Sequence, residues 1–197
     1  MSNSDKKFPQ KGAARLLAAE RFREFDPENL LKEMDLKPGM TAADIGCGNG
    51  FFSVPAAKIV APDGMLHALD ISSEMLDLLK ARRPPANLQV HLCEENRFPL
   101  KTNSIDFVLL SAVFHEIENR DKFLLEIRRI LRDDGHLWIL EWQPKEETKG
   151  PPALHRISQT ELRSSLTKNG FTVSRADNIG ESHYQVLSRK KVVSCRV

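Results

Sequence analysis

The chain has 197 residues, 28% charged and 41% apolar, with 29 lysines and arginines against 27 aspartates and glutamates. This length and composition suit one globular domain over residues 1–197, and the nearly cancelled charge excludes a strong field for nucleic acid or an anionic membrane. The opening MSNSDKKFPQK is polar and no stretch approaches roughly 18 apolar residues, so a cytoplasmic protein without a membrane segment is expected.

Residues 1–11 read as a polar tail and 12–35 as two short helices. GAARLLAAERFREF places Ala14, Leu17, Ala18, Phe22 and Phe25 near one face, and DPENLLKEM restarts with Asp26 as a cap and Pro27 at the first helical position. A core follows over 41–189. LKPGM is a turn, TAADI a short buried strand, and FFSVPAAKIV a helix in which Pro55 is tolerated near the first turn. After APDG, residues 65–71 form a second strand and SSEMLDLLKAR a second helix, stopped by RPPAN. LQVHL is a strand, and IDFVLL is an unbroken apolar run that fits a strand buried on both faces. Helix 119–131 carries Phe123, Leu124, Ile127, Ile130 and Leu131 at helical spacing, and Gly135 is read as the turn into HLWILEW. The stretch 144–157, rich in Pro, Lys and Glu, reads as a loop that orders on demand. A last helix begins near Ser158, and FTVSRAD and HYQVLS, separated only by NIGES, must pair antiparallel.

Strands alternating with helices imply a mainly parallel sheet covered on both faces, with ligands at the carboxyl ends of its strands. TAADIGCGNGFF sits at such an end. Glycines 46, 48 and 50 permit positive φ and bare the backbone N–H groups toward a polar ligand. Asp44 precedes them, and Asp70 ends the second strand 24 positions after Gly46, where an acid can accept both hydroxyls of a ribose. A dinucleotide fingerprint is Gly-x-Gly-x-x-Gly, whereas this pattern is Gly-x-Gly-x-Gly after an acid. A carboxylate there repels a pyrophosphate and suits an ammonium or sulfonium, which favours an adenosyl amino acid over NAD. Cys47, Cys93 and Cys195 include no Cys-x-x-Cys, so neither a disulfide framework nor a metal site is expected, and Cys47 reads as a small packed side chain.

LKPGMTAADIGCGNGFFS, LHALDISSEMLDLLKAR, CEENRFPLKTNSIDFVLLSAVFHEI and EIRRILRDDGHLWILEW, in that order, resemble the successive motifs of the class I S-adenosylmethionine (SAM) dependent methyltransferases. The likeness is to their ubiquinone/menaquinone-biosynthesis-like branch (methyltransferase type 11), and it covers roughly residues 27–142 with a weaker continuation to 189. It implies an α/β, Rossmann-like doubly wound seven-stranded sheet, mostly parallel with an antiparallel last strand and helices on both faces. It also implies SAM as cofactor, with the methionine moiety against Asp44, Gly46, Cys47 and Gly48, the ribose on Asp70 and the adenine beside Ile71. Glu94 stands where the family has an aspartate reaching the adenine amino group, and Ser111 to His115 match the segment under the sulfonium and the acceptor.

His115 and Glu116 are the candidate catalytic residues, since an imidazole with a pKa near 6.5 can take a proton from an acceptor atom. Glu141 and Trp142 end the fifth strand at the same edge, and Trp142 and His155 are candidates for lining the acceptor pocket. The implied reaction is in-line methyl transfer to a small-molecule acceptor. Its pocket would be built by the N-terminal helices, segment 111–118 and loop 144–157. A catalytically silent SAM- or S-adenosylhomocysteine-binding regulatory protein and an RNA or protein methyltransferase stand as alternatives. No target-reading motif for nucleic acid is visible, and a homodimer is the assembly considered.

Overall fold

A computed structural model describes residues 25–191. The polar tail 1–11, the first expected helix up to residue 24, and Cys195 lie outside the described residues. In chain order the elements are α1 (Pro27–Glu33), β1 (Thr41–Ile45), α2 (Ser53–Val60), β2 (Met65–Asp70), α3 (Ser73–Ala81) and β3 (Leu88–Leu92). They continue with β4 (Ile105–Ser111), α4 (Arg120–Ile130), β5 (Leu131–Trp142), α5 (Gln159–Lys168), β6 (Phe171–Ile179) and β7 (His183–Lys190). Single 3-10 turns occur at Phe114–Glu116 and Ala153–His155.

Local chemistry sets the helix starts. Asp26 caps α1 through Asn29 and Pro27 opens it, Ser72 accepts from the Met75 N–H ahead of α3, and Asn119 accepts from the Lys122 N–H ahead of α4. Ser158 and Glu161 satisfy each other's end of α5 in a reciprocal capping box.

The seven strands form one sheet in the order β3-β2-β1-β4-β5-β7-β6. Pairings from β3 through β5 are parallel, and β7 runs antiparallel to both β5 and β6. The chain turns through Gly180 at φ 56°, a left-handed conformation that costs glycine little. Alternation along the central strands divides the core. Ala42, Phe107, Leu109, Trp138 and Leu140 face the layer of α1, α2 and α3, with Leu31, Ala56, Ile59, Leu76 and Leu79. Ala43, Ile45, Val108, Leu110, Leu137 and Ile139 face α4 and α5, with Phe123, Leu124, Ile127, Leu162 and Leu166. Both faces are thus dry, which explains the continuous apolar run of β4.

One sequence expectation needs correcting. Gly135 does not turn the chain into a new strand, because β5 already begins at Leu131. Register passes from Ile105 opposite Leu131 to Phe107 opposite His136, so the intervening residues of β5 bulge out. The Arg132 guanidinium anchors the bulge on Asp106 at 2.6 Å. Among the described residues no helix is long and apolar enough to cross a membrane.

Candidate active site

Connections from β1 run toward β3 and those from β4 run toward β6. The carboxyl ends of β1 and β4 therefore flank a topological switch point, where such sheets open a crevice. The glycine loop crosses it. The N–H groups of Gly46 and Cys47 both donate to the Leu69 carbonyl, at 2.8 and 3.0 Å, and the Gly48 N–H donates to Asp70 Oδ2 at 2.8 Å. Gly46 and Gly48 hold φ of 71° and 53°, and a Cβ on Gly46 would lie 2.4 Å from Val113 Cγ2. The loop thus needs glycine both for its backbone and for its contact with the segment after β4. Arg82 donates to the Asn49 carbonyl at 2.7 Å, and the buried Asp44 accepts from the Ser53 hydroxyl at 2.5 Å.

Asp70 ends β2 with its carboxylate almost enclosed. Ser72 N–H donates to Oδ1 at 2.9 Å and Gly48 N–H to Oδ2. Burial pushes the Asp70 pKa up, while the N–H groups of Ser72, Gly48 and Ile71 oppose that rise. Ile71 stands beside it, 45% exposed at the rim. The Cys93 N–H donates to the Asp70 carbonyl at 3.0 Å, which brings the following residue, the exposed Glu94, to the same edge. Glu94 and Arg97 close a small backbone turn there. Burial, then the nearby carboxylates of Asp44 and Asp70, drive the Cys47 thiol upward. The Cys93 thiol is pushed up to about 12 by burial and by Asp70 and Glu94. At both sulfurs the surroundings disfavour the thiolate.

Two observations mark polar groups with spare hydrogen-bonding capacity at this crevice. Ser111 Oγ, at the end of β4, is buried without a hydrogen-bond partner among the described residues. Among the described residues the Asp70 carboxylate meets only backbone N–H donors, so its roughly four lone-pair sites keep capacity for further donors. A ligand that brings hydroxyl donors to Asp70 and a polar group to Ser111 fits this arrangement.

Across the crevice the site is built by side chains far apart in sequence. Ala112 takes φ 55°, redirecting the chain so that Val113 meets Gly46 and His115 turns into the protein. The buried His115 donates its backbone N–H to Glu141 Oε1 at 3.1 Å, and its Nδ1 lies 2.9 Å from Oε2 and 3.2 Å from Oε1. Glu116 Oε1 is 3.8 Å from the His115 Nε2. Burial alone would lower the imidazole pKa, but Glu141 and then Glu116 outweigh it, with Arg120 opposing, and the net direction is up.

The segment 144–157, expected to order on demand, is held by a buried arginine. Arg156 donates to the carbonyls of Pro151, Gln143 and Lys149 at 2.9, 3.0 and 2.7 Å and to Glu147 Oε2 at 2.7 Å. Its guanidinium sits 4.9 Å from the Trp142 ring, which the His183 ring approaches to 4.0 Å. A Cβ on Gly150 would come within 2.8 Å of the same indole. Trp142 thus serves to seat this loop. His155 closes the 3-10 turn beside it, half-buried, its Nδ1 without a partner among the described residues.

The sheet order, the glycine loop after β1 and the acid ending β2 define the Rossmann-like fold of class I SAM-dependent methyltransferases. Comparison with known proteins narrows this further. A family profile described as a methyltransferase domain matches residues 43–139. The crystal structure of a SAM-dependent methyltransferase from Aquifex aeolicus is 33% identical, covers 93% of this chain and 99% of its own, and superposes with a TM-score of 0.89. A demethylmenaquinone methyltransferase of Lactobacillus johnsonii is 31% identical over 118 residues, 58% of this chain and 48% of that protein. A ubiquinone/menaquinone biosynthesis C-methyltransferase of Cupriavidus metallidurans is 28% identical over 123 residues, 59% of this chain and 51% of that protein. The chain belongs to the class I SAM-dependent methyltransferases. It spans about half the length of these two curated relatives.

Proposed function

We propose that this protein transfers a methyl group from SAM to a small-molecule acceptor, in the cytoplasm. The observation that carries the reading is the Asp70 carboxylate, fixed by backbone N–H groups beside a left-handed glycine loop and still able to accept from a diol. In this reading Asp70 takes the ribose hydroxyls, and Ile71 and Glu94 border the adenine. Asp44, Gly46, Cys47 and Gly48 surround the methionine moiety, with Ser111 offering its hydroxyl from the facing strand. Bound SAM supplies an activated methyl on a sulfonium whose leaving group is a neutral thioether. The chain's own contribution is placement: holding donor and acceptor in line and keeping water out, effects that together reach about 7–11 kcal/mol. The names of the curated relatives suggest a quinol-like acceptor.

Calorimetric titration of the full chain with SAM, S-adenosylhomocysteine and NAD tests the cofactor half, with Asp70→Ala as control. Micromolar binding of both adenosyl ligands, lost in a variant that stays folded, is the expected result. Binding of NAD alone, or adenosyl binding indifferent to Asp70, overturns the proposal.

A further inference from the structure

We infer that Glu141 and His115 form a dyad in which the carboxylate grips the imidazole at Nδ1 so that Nε2 takes the proton released by an aromatic hydroxyl acceptor. This rests on the methyl-transfer reading above and adds to it a positioning residue and an acceptor class.

Glu141 is fully buried directly after the apolar run 137–140 of β5. Its oxygens meet the His115 backbone N–H, the His115 ring and the Trp142 N–H at 3.2 Å, and no lysine or arginine pairs with it among the described residues. A buried carboxylate without a counter-charge is costly. The imidazole is the one group in contact that can supply that charge. The ring is fixed at two points, backbone and Nδ1, which leaves Nε2 as the working nitrogen. Around Nε2 stand Glu116 at 3.8 Å and, more distantly, Arg120 from the start of α4. Tyr184 lies opposite Glu141 across the β5/β7 pairing, with its hydroxyl committed to the Ile157 carbonyl at 2.8 Å. The dyad also adjoins the cofactor loop, because Val113, two residues before His115, is the side chain that Gly46 touches.

The chemistry selects the acceptor. For each methyl gained, an aromatic hydroxyl loses one proton: the proton moves to Nε2, an oxygen electron pair becomes the new O–C bond, and the pair of the broken S–C bond stays on the departing neutral thioether. The imidazolium then returns it to water as product leaves. A phenol ionises near 10, within reach of an imidazole raised by two carboxylates, whereas an aliphatic alcohol lies far beyond it. A thiolate acceptor, already without its proton, would need no such base.

Two measurements on the full chain test this. Carbon-13 labelling at histidine Cε1, with the resonance assigned by His115→Gln, gives the midpoint and neutral tautomer of His115 with and without S-adenosylhomocysteine. Radiolabelled methyl transfer to 1,4-dihydroxynaphthalene gives the rate against pH. The neutral ring should carry its proton on Nδ1 and titrate above the usual histidine value. Glu141→Gln should lower that midpoint and move the rising limb of kcat to lower pH by the same amount, with KM for SAM little changed. His115→Gln, which keeps a donor toward Glu141, should lose roughly 10²-fold in kcat while binding S-adenosylhomocysteine normally. A midpoint indifferent to Glu141, a kcat limb that stays put when the midpoint moves, an undiminished His115→Gln, or no wild-type transfer to this probe each overturn the inference. Failure of S-adenosylhomocysteine to bind would instead strike the methyl-transfer reading, since the tautomer and midpoint are still measurable in the free protein.

Discussion

The two sides of the crevice are constructed by opposite means. On the β1–β2 side the backbone does the positioning: N–H groups of Gly46, Cys47, Gly48 and Ser72 bind the Leu69 carbonyl or the Asp70 carboxylate. On the β4–β5 side, side chains do it: His115 reaches Glu141, Arg156 reaches Glu147, and Ser182 reaches Glu147 at 2.6 Å. A site shaped by backbone must be kept by residue types that the backbone requires. A site shaped by side-chain networks can be rebuilt for another acceptor while the sheet beneath it stays the same.

The contrast predicts graded responses. Gly46→Ala should have the largest effect on stability, about 2–4 kcal/mol, because a Cβ must bear φ 71° and also overlap Val113 at 2.4 Å. Denaturant midpoints would show it. Adding Val113→Ala should restore the overlap share and leave the backbone share; full rescue would mean that the backbone conformation carries no cost, contrary to this view of the loop.

Arg156→Ala comes next, at about 2–3 kcal/mol, since it strands the carbonyls of Gln143, Lys149 and Pro151. Limited proteolysis should shift to cuts within 144–152 while SAM affinity barely changes. Equal loss of cofactor binding would show that the two sides are one unit.

The same clamp sets an acid limit. Hydrogen bonds from Ser182 and Arg156 hold the Glu147 pKa down to about 2. Its folded value lies below the unfolded one, so the contribution is complete above about 4.5 and disappears as pH falls toward 2. Loop protection measured by hydrogen exchange should therefore be flat from neutrality to about pH 4.5 and fall below it. Loss of protection near pH 6 would point to a histidine instead.

Ala112→Gly is the smallest change. It relieves a left-handed alanine at φ 55° and should raise stability by up to about 1 kcal/mol, offset in part by glycine's greater freedom when unfolded. A clear loss of stability would show that the alanine methyl packs in a way the backbone angle does not reveal.

The legibility of the sequence follows the same divide. Asp44, the three glycines and Asp70 lie within one βαβ unit, and the turns and charges that make them useful are local, so their spacing could be read directly. The strands and helices were readable for a related reason: short apolar runs, helical spacing and capping residues act over a few positions. Trp142 looked like a pocket wall because an aromatic at a strand end so often is; only packing shows Arg156 and His183 engaging its ring. Glu141 did leave a trace, an acid directly after the apolar run 137–140, but a buried charge announces the need for a partner without naming it.

By itself, then, the sequence determined the sheet, the order of its cofactor motifs and the acids beside the glycine loop, because these depend on neighbours along the chain. Only the tertiary structure decided that Gly46 requires Val113, that Arg156 seats the 144–157 loop and that His115 faces Glu141, 26 positions away. Such contacts form where strands distant in sequence end side by side, and their energies come from burial and charge pairing that no local pattern encodes.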